Sequence, residues 1–255
     1  MSESLVYKFS SKIHQGNREE QQDYVCIEEK NGVLLSVVCD GMGGLENGAE
    51  ASRIAAEKLS DLFRKKDETK NIPDFFLECV DIMDESVYNL SIKEGNRTAT
   101  GTTVVTACVK DDNLYWMSVG DSRLYLIRNN EIEAATRDHN YFMVLEEMQR
   151  NNIPEELCIA EEEKRGDALV SFIGMGGIEL MDIISEPFRL MKSDKILLTS
   201  DGLYKLLSEE KIKEIILAND DVDVATDKLI EAALSVPENY KDNISIVLIS
   251  MEEKI

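Results

Sequence analysis

Four aspartates in this chain stand where an apolar run meets a turn-forming residue. Asp40 follows Val33 to Cys39 and precedes Gly41, and Asp201 follows Ile196 to Ser200 and precedes Gly202. Asp121 closes Leu114 to Gly120, and Asp242 with Asn243 opens Ile244 to Ile249. Short apolar runs bounded by turn residues read as buried strands. In an antiparallel sheet the carboxyl end of one strand lies beside the amino end of its neighbour. Three aspartates at strand ends and one at a strand start are therefore expected to meet along one sheet rim. Two carboxylates about 4 Å apart repel by roughly 4 kcal/mol at an effective dielectric of 20. Several together favour a bound dication, so the pattern points to an oxygen-ligated metal centre.

The elements that must carry these residues follow from periodicity. Strands are expected at Val6 to Ile13, Tyr24 to Glu28 and Val33 to Cys39. Two helices follow: Asn47 to Lys65, and Pro73 to Lys93 with Pro73 suited to a first helical position. Strands resume at Thr102 to Lys110 and Leu114 to Val119, joined through Asp111-Asp112-Asn113. Leu124 to Arg128 and Glu131 to Ala135 flank Asn129-Asn130, a hairpin signal. Residues 139 to 167 are polar and acidic and read as an insertion on the body. Strands are then expected near Ala168 to Ile173, Ile183 to Leu190 and Ile196 to Ser200. Helices at Leu203 to Leu207, Glu209 to Leu217 and Val222 to Leu234 precede a last strand at Ile244 to Ser250. Helix pairs between groups of short strands indicate layered α and β structure without regular βαβ alternation.

Composition narrows the function classes. With 255 residues, 43% of them apolar, the chain can fill a sizeable core as one large domain or two small ones. No stretch matches a membrane span or a secretory leader. Five cysteines (26, 39, 79, 108 and 158) form no Cys-x-x-Cys pair, so they read as reduced thiols of a cytoplasmic protein, and structural zinc is not expected. Fifty acidic against 28 basic residues give a net charge of −22, which repels nucleic-acid backbones and anionic lipid. An anionic substrate would need a bound cation to reverse the sign locally.

Read together, Gly16 to Asp23 and Val38 to Gly44 make the chain resemble the bacterial-type metal-dependent serine/threonine protein phosphatases of the 2C type, the PPM family. Further matches follow in the family's order: Gly101-Thr102-Thr103, Gly120 to Arg123, Arg137-Asp138-His139, Leu197 to Leu203 and Asp242-Asn243. They span residues 16 to 243. The resemblance implies an α+β fold, a four-layer α-β-β-α sandwich of two antiparallel sheets flanked by helices, with residues 1 to 255 as one domain and 140 to 170 as a flap. It implies that Asp40 bridges two Mn²⁺ or Mg²⁺ ions and that Asp201 and Asp242 complete the first. The Gly41 carbonyl and the Gln22-Asp23 region would face the second, with Asp23 acting directly or through water. Asp121, with Asp201, would serve a third ion. Arg18, Asp40 and Asp201 would carry catalysis, and Arg18 would grip the phosphate. The expected substrates are phosphoserine and phosphothreonine in proteins, with a serine/threonine kinase and its substrates as partners and a monomer as the expected state.

The chemistry of the residue types agrees. All-oxygen ligands suit Mg²⁺ or Mn²⁺ rather than zinc. Two such ions can hold a water as hydroxide and brace an in-line attack on phosphorus. Arg18 offers a planar fork matched to phosphate oxygens. Taken singly, Asp40, Asp121 or Asp201 reads more readily as a turn former, and only their joint placement with Arg18 and Asp242 favours ligation. Gly174-Met175-Gly176-Gly177 lacks the residues of a phosphate loop and reads as a turn. Asp221-Val222-Asp223 imitates an Asp-x-Asp phosphatase signature, but it opens a helix and reads as a cap. His139 reads as structural. Two rivals stay open: an inactive member of the same fold that binds phosphoproteins, and, more weakly, a calcium-binding structural protein without an EF-hand loop.

Overall fold

The computed structural model describes residues 5–42, 47–93, 96–97, 100–151 and 167–253. Fourteen strands are described: β1 Leu5–His14, β2 Asp23–Lys30, β3 Val33–Met42, β4 Ile92–Lys93, β5 Asn96–Arg97, β6 Gly101–Thr102, β7 Val104–Lys110, β8 Asn113–Val119, β9 Arg123–Arg128, β10 Glu131–Ala134, β11 Asp182–Ile183, β12 Phe188–Arg189, β13 Lys195–Thr199 and β14 Ile244–Glu253. The described helices are α1 Asn47–Lys65, α2 Ile72–Ser91, α3 Tyr141–Arg150, α4 Asp201–Tyr204, α5 Glu209–Leu217 and α6 Val222–Ser235. One antiparallel sheet runs β1-β14-β13-β9-β10, and a second runs β11-β8-β7-β3-β2 with β12 on β8 and β6 on β3.

Tight turns set the register of three hairpins. Asn31-Gly32, Asp111-Asp112 and Asn129-Asn130 all adopt positive φ, the twist that two-residue hairpin loops need. Helix starts are capped locally. The Asn71 side chain accepts from Asp74 N at α2, Ser208 from Lys211 N at α5, and Asp221 from Asp223 N and Val224 N at α6. Asp221 is thus the cap that its position predicts.

Strand alternation builds the layers. On β3, Leu35, Val37 and Cys39 pack with Ala55, Leu59, Phe76 and Met83 of α1 and α2. Leu34 and Val38 point the other way and meet Leu198, Val247 and Ile249 of the opposite sheet. On β14, Ile244, Ile246 and Leu248 turn to Ile212, Ala225 and Leu229 of α5 and α6. Three apolar interfaces therefore separate four layers: helices, sheet, sheet, helices. Cys39, Cys79 and Cys108 are free and buried in these layers and Cys26 is free and half-buried, while Cys158 lies outside the described residues.

Several expectations need correction. Asp40 does not end its strand; β3 continues through Gly41 and Met42, which pair with Thr102 and Gly101 of β6. The aspartates do not share one sheet's rim either. Asp40 belongs to the second sheet, Asp201 and Asp242 adjoin β13 and β14 of the first, and Asp121 lies between β8 and β9, where the chain passes from one sheet to the other. Ala168 to Ile173 forms only isolated bridges, Leu169 with Asn140 and Ile173 with Thr102. Ile183 to Leu190 is split into β11 and β12, with Pro187 in the gap unable to donate to a ladder. The flap expected at 140–170 is described only by α3 and by the stretch from residue 167, and 152–166 lie outside the described residues.

Candidate metal centre

Asp23 and Asp40 are direct partners in the β2-β3 ladder. Asp23 is buried, and its Oδ2 accepts a 2.7 Å hydrogen bond from Ser200 Oγ across the two sheets. The Asp40 backbone is held by the Thr102-Thr103 pair. Asp40 N donates to Thr103 Oγ1 at 3.1 Å, and Asp40 O accepts from Thr103 N at 2.8 Å and Thr102 Oγ1 at 2.9 Å. Thr103 Oγ1 is itself 2.7 Å from Ser122 Oγ, which ties β3 to the turn carrying Asp121. Gly41 donates its N–H to Gln22 O at 3.1 Å, and a Cβ there would lie 2.0 Å from Gly48 O at the start of α1. Only glycine allows that approach.

Asp201 and Asp242 are brought together by the ends of two paired strands. Ser200 N donates to Ser245 O at 3.1 Å, and Ser245 N donates to Ser200 Oγ at 3.0 Å. A Cβ on Gly202 would fall 2.0 Å from Asn243 O, so the Asp201-Gly202 turn needs its glycine to lie against Asp242-Asn243. Asp121 is buried, and its carbonyl accepts from Tyr204 Oη at 3.0 Å. Arg123 lies over the Tyr204 ring, 3.8 Å from its centroid, and forks onto Asp138 at 2.8 and 2.7 Å. His139 is fully buried; its Nδ1 accepts from Gly120 N at 3.2 Å and its backbone N–H donates to Gly120 O at 3.0 Å. It thus holds the turn before Asp121, the structural part expected of it.

A cleft of about 420 Å³ lies at this junction, lined among others by Arg18, Asp40, Gly41, Asp121, Asp201 and Asp242. Every residue expected at the site therefore lines it except Asp23, which is buried beside Asp40 in the ladder. The carboxylates are electrostatically frustrated. Burial, then the charges of Asp23, Asp201, Asp121 and Asp242, push Asp40 well above the usual carboxylate range. Burial and the charge of Asp201 push Asp121 up to about 7. Burial also raises Asp23 to about 7, against the pull of its serine hydrogen bonds.

The donor set fits a hard divalent cation. Asp23 Oδ1 and Asp201 Oδ1 are buried without a hydrogen-bond partner, and the acids crowded around Asp40 are all carboxylic. Among the described residues no three His, Cys, Asp or Glu side chains are already gathered as a metal cluster. Two of the carboxylates take cations from the chain instead: Asp242 Oδ2 accepts from Arg18 Nη2 at 2.5 Å, and Asp201 Oδ2 from Lys205 Nζ at 2.6 Å.

Sequence reasoning missed Lys205, which also reaches Asp167 Oδ2 at 3.0 Å. Its signal was present: it stands four residues after Asp201, the spacing at which opposite charges meet on a helix. It also missed Ser200, Asn243 and Tyr240. The glycine run at 174–177 is a turn, as expected, but an occupied one. The N–H groups of Gly174, Gly176 and Gly177 donate to the Asp84 carboxylate at 2.7, 3.3 and 2.6 Å.

Comparison with known proteins bears on this geometry. The model of a family described as Protein phosphatase 2C matches residues 11–231. The serine/threonine phosphatase stp of Listeria monocytogenes is 28% identical over 229 residues, covering 89% of this chain and 88% of that protein. The solved S. agalactiae serine/threonine phosphatase superposes with a TM-score of 0.82 at 25% identity, covering 96% of this chain and 99% of that one. The catalytic domain of the phosphatase PstP, solved in complex with 2 manganese ions, has the same fold at a TM-score of 0.77 and 23% identity, covering 98% of this chain and 100% of that one.

Proposed function

The chain belongs to the protein phosphatase 2C family, and from that premise we propose that it hydrolyses phosphoserine and phosphothreonine in proteins with two or three Mn²⁺ or Mg²⁺ ions in the cleft. The observation that carries this reading is the single cleft lined by Asp40, Asp121, Asp201, Asp242 and Arg18. Relatives named as serine/threonine phosphatases and the manganese-bound PstP structure support it.

In this reading Asp40, Asp201 and Asp242 would hold the first ion, Asp40 and the Gly41 carbonyl would face the second, and Asp121 with Asp201 would serve a weaker third. Asp23 acts from beside Asp40, through its unpartnered Oδ1. When bound, such ions activate water for attack on phosphorus and offset the charge that builds on the leaving oxygen. Arg18 presents its fork to the phosphate, with Asp242 and the Tyr240 ring fixing the guanidinium. Lys205 neutralises Asp201 until a better cation arrives.

Residues 1–255 act as one domain, with 140–170 as a flap beside the cleft, a reading supported by Asp167 and Leu169 in the cleft wall. The protein is read as a cytoplasmic monomer that opposes a serine/threonine kinase on shared substrates. No helix among the described residues is long and apolar enough to cross a membrane.

Hydrolysis of p-nitrophenyl phosphate with Mg²⁺, Mn²⁺ or EDTA tests the reading. Turnover that requires either ion and stops with EDTA is expected. Metal-independent turnover, or none under any condition, would contradict it, and the second outcome would favour an inactive phosphoprotein-binding member of the fold.

A further inference from the structure

Beside the cleft opens a second groove of about 330 Å³, lined by Asn17, Arg18, Glu19, Glu20, Gln22 and Tyr240. Arg18 and Gln22 line both, so groove and cleft are contiguous. The groove walls are built rather than loose. Asn17 N donates to Lys241 O at 2.9 Å, and Asn243 Nδ2 donates to Gln15 O and Glu20 O at 2.8 and 3.0 Å. Gln15 Nε2 donates to Arg18 O and Glu19 O at 2.9 and 3.0 Å, closing the loop on itself.

Two features of this groove are not used up by the cleft. Tyr240 is 59% exposed, although Arg18 lies 4.7 Å from its ring centroid. Among the described residues neither Glu19 nor Glu20 forms an ion pair, whereas the neighbouring Asp242 does. Unpaired carboxylates in an open groove attract a cation by charge, and the exposed part of the Tyr240 side chain gives the stem of a lysine or arginine an apolar surface to lie along. A phosphate held at Arg18 would carry the residues flanking the phosphorylated side chain over this groove.

We infer that the groove receives a lysine or arginine side chain flanking the phosphorylated residue, so that phosphoproteins with a basic residue beside their phosphoserine or phosphothreonine are preferred. The inference rests on the proposed phosphatase reading. The chain's net charge of −22 works in the same direction, drawing cationic segments in and rejecting acidic ones.

The test uses three phosphothreonine peptides that differ only in having Lys, Ala or Glu on both sides of the phosphothreonine. kcat/KM and, by fluorescence anisotropy, Kd are measured with Mn²⁺ for the native protein, the Glu19→Gln/Glu20→Gln double variant and the Glu19→Lys/Glu20→Lys double variant. The Lys peptide should be favoured over the Ala peptide about threefold or more by the native protein, the size expected of exposed charge pairs. The preference should fall to parity in the Gln variant, turn toward the Glu peptide in the Lys variant and shrink as salt rises. Hydrolysis of p-nitrophenyl phosphate should be unchanged in both variants, because it does not reach the groove. Equal treatment of the three peptides by the native protein, or an undiminished Lys preference in the Gln variant, would overturn the inference. Loss of all turnover by the native protein would instead refute the phosphatase reading, and the Kd ratios would still decide the groove.

Discussion

Asp23 and Asp40 are direct partners across the β2-β3 ladder, with Asp23 buried and Asp40 lining the cleft. Among the described residues neither has a basic partner; Asp23 is met by serine hydroxyls instead, Ser200 Oγ at 2.7 Å foremost. The folded protein therefore holds acids that it resists ionising, and a cation bound as proposed would relieve this.

Without metal, stability should depend on pH in a stated direction. Asp23 and Asp121 are each raised to about 7, above the usual unfolded value near 4. Between these limits the folded state binds more protons than the unfolded one, so its stability falls as pH rises. Urea unfolding in EDTA should show a loss of a few kcal/mol between about pH 4 and pH 7. Asp23→Asn should reduce that slope. A metal-free protein whose stability rises over this range would contradict the frustrated cluster.

Arg18→Ala removes the fork that lies between Asp242 and the Tyr240 ring. Its kcat/KM on a phosphothreonine peptide should drop about ten- to a hundredfold, the worth of charge-assisted hydrogen bonds, with KM rising more than kcat falls. Arg18→Lys should recover only part, because an ammonium is not a planar fork. An unaltered kcat/KM would remove Arg18 from the site.

Lys205 pairs with the Asp201 carboxylate, which the proposed reading assigns to a metal. Lys205→Met should tighten Mn²⁺ binding by about two- to fivefold, the range for a partly exposed ion pair, and lower the melting temperature of the metal-free protein. Calorimetric titration with Mn²⁺ checks the first effect. Weaker binding in the variant would show that Lys205 supports the ions rather than displacing them.

What the sequence made legible, and what it did not, divides along range. The helical period of Asn47 to Lys65 predicts α1 to the residue, and Glu209 to Leu217 likewise, because an apolar stripe is a local signal. The apolar runs before Asp40 and Asp201 give their strands for the same reason. The continuation of β3 through Asp40 was not legible, since it depends on a two-residue strand at Gly101-Thr102, about sixty positions away. Nor was the bridging of two sheets at the site, because a run of strand signals does not say which sheet each strand joins. Nor was the hydrogen bond from Ser200, just beyond β13 of the other sheet, to buried Asp23, a contact that no local pattern encodes.

The most direct measurement of the central claim is thermal melting with and without Mn²⁺, for the native protein and for Asp40→Asn and Asp201→Asn. At about a hundred times Kd the ion should add about 2.7 kcal/mol to the native protein, or roughly 5–10 °C in Tm. Both variants should lose most of that gain. A native Tm indifferent to Mn²⁺, or variants that gain as much as the native protein, would show that these carboxylates do not share a cation.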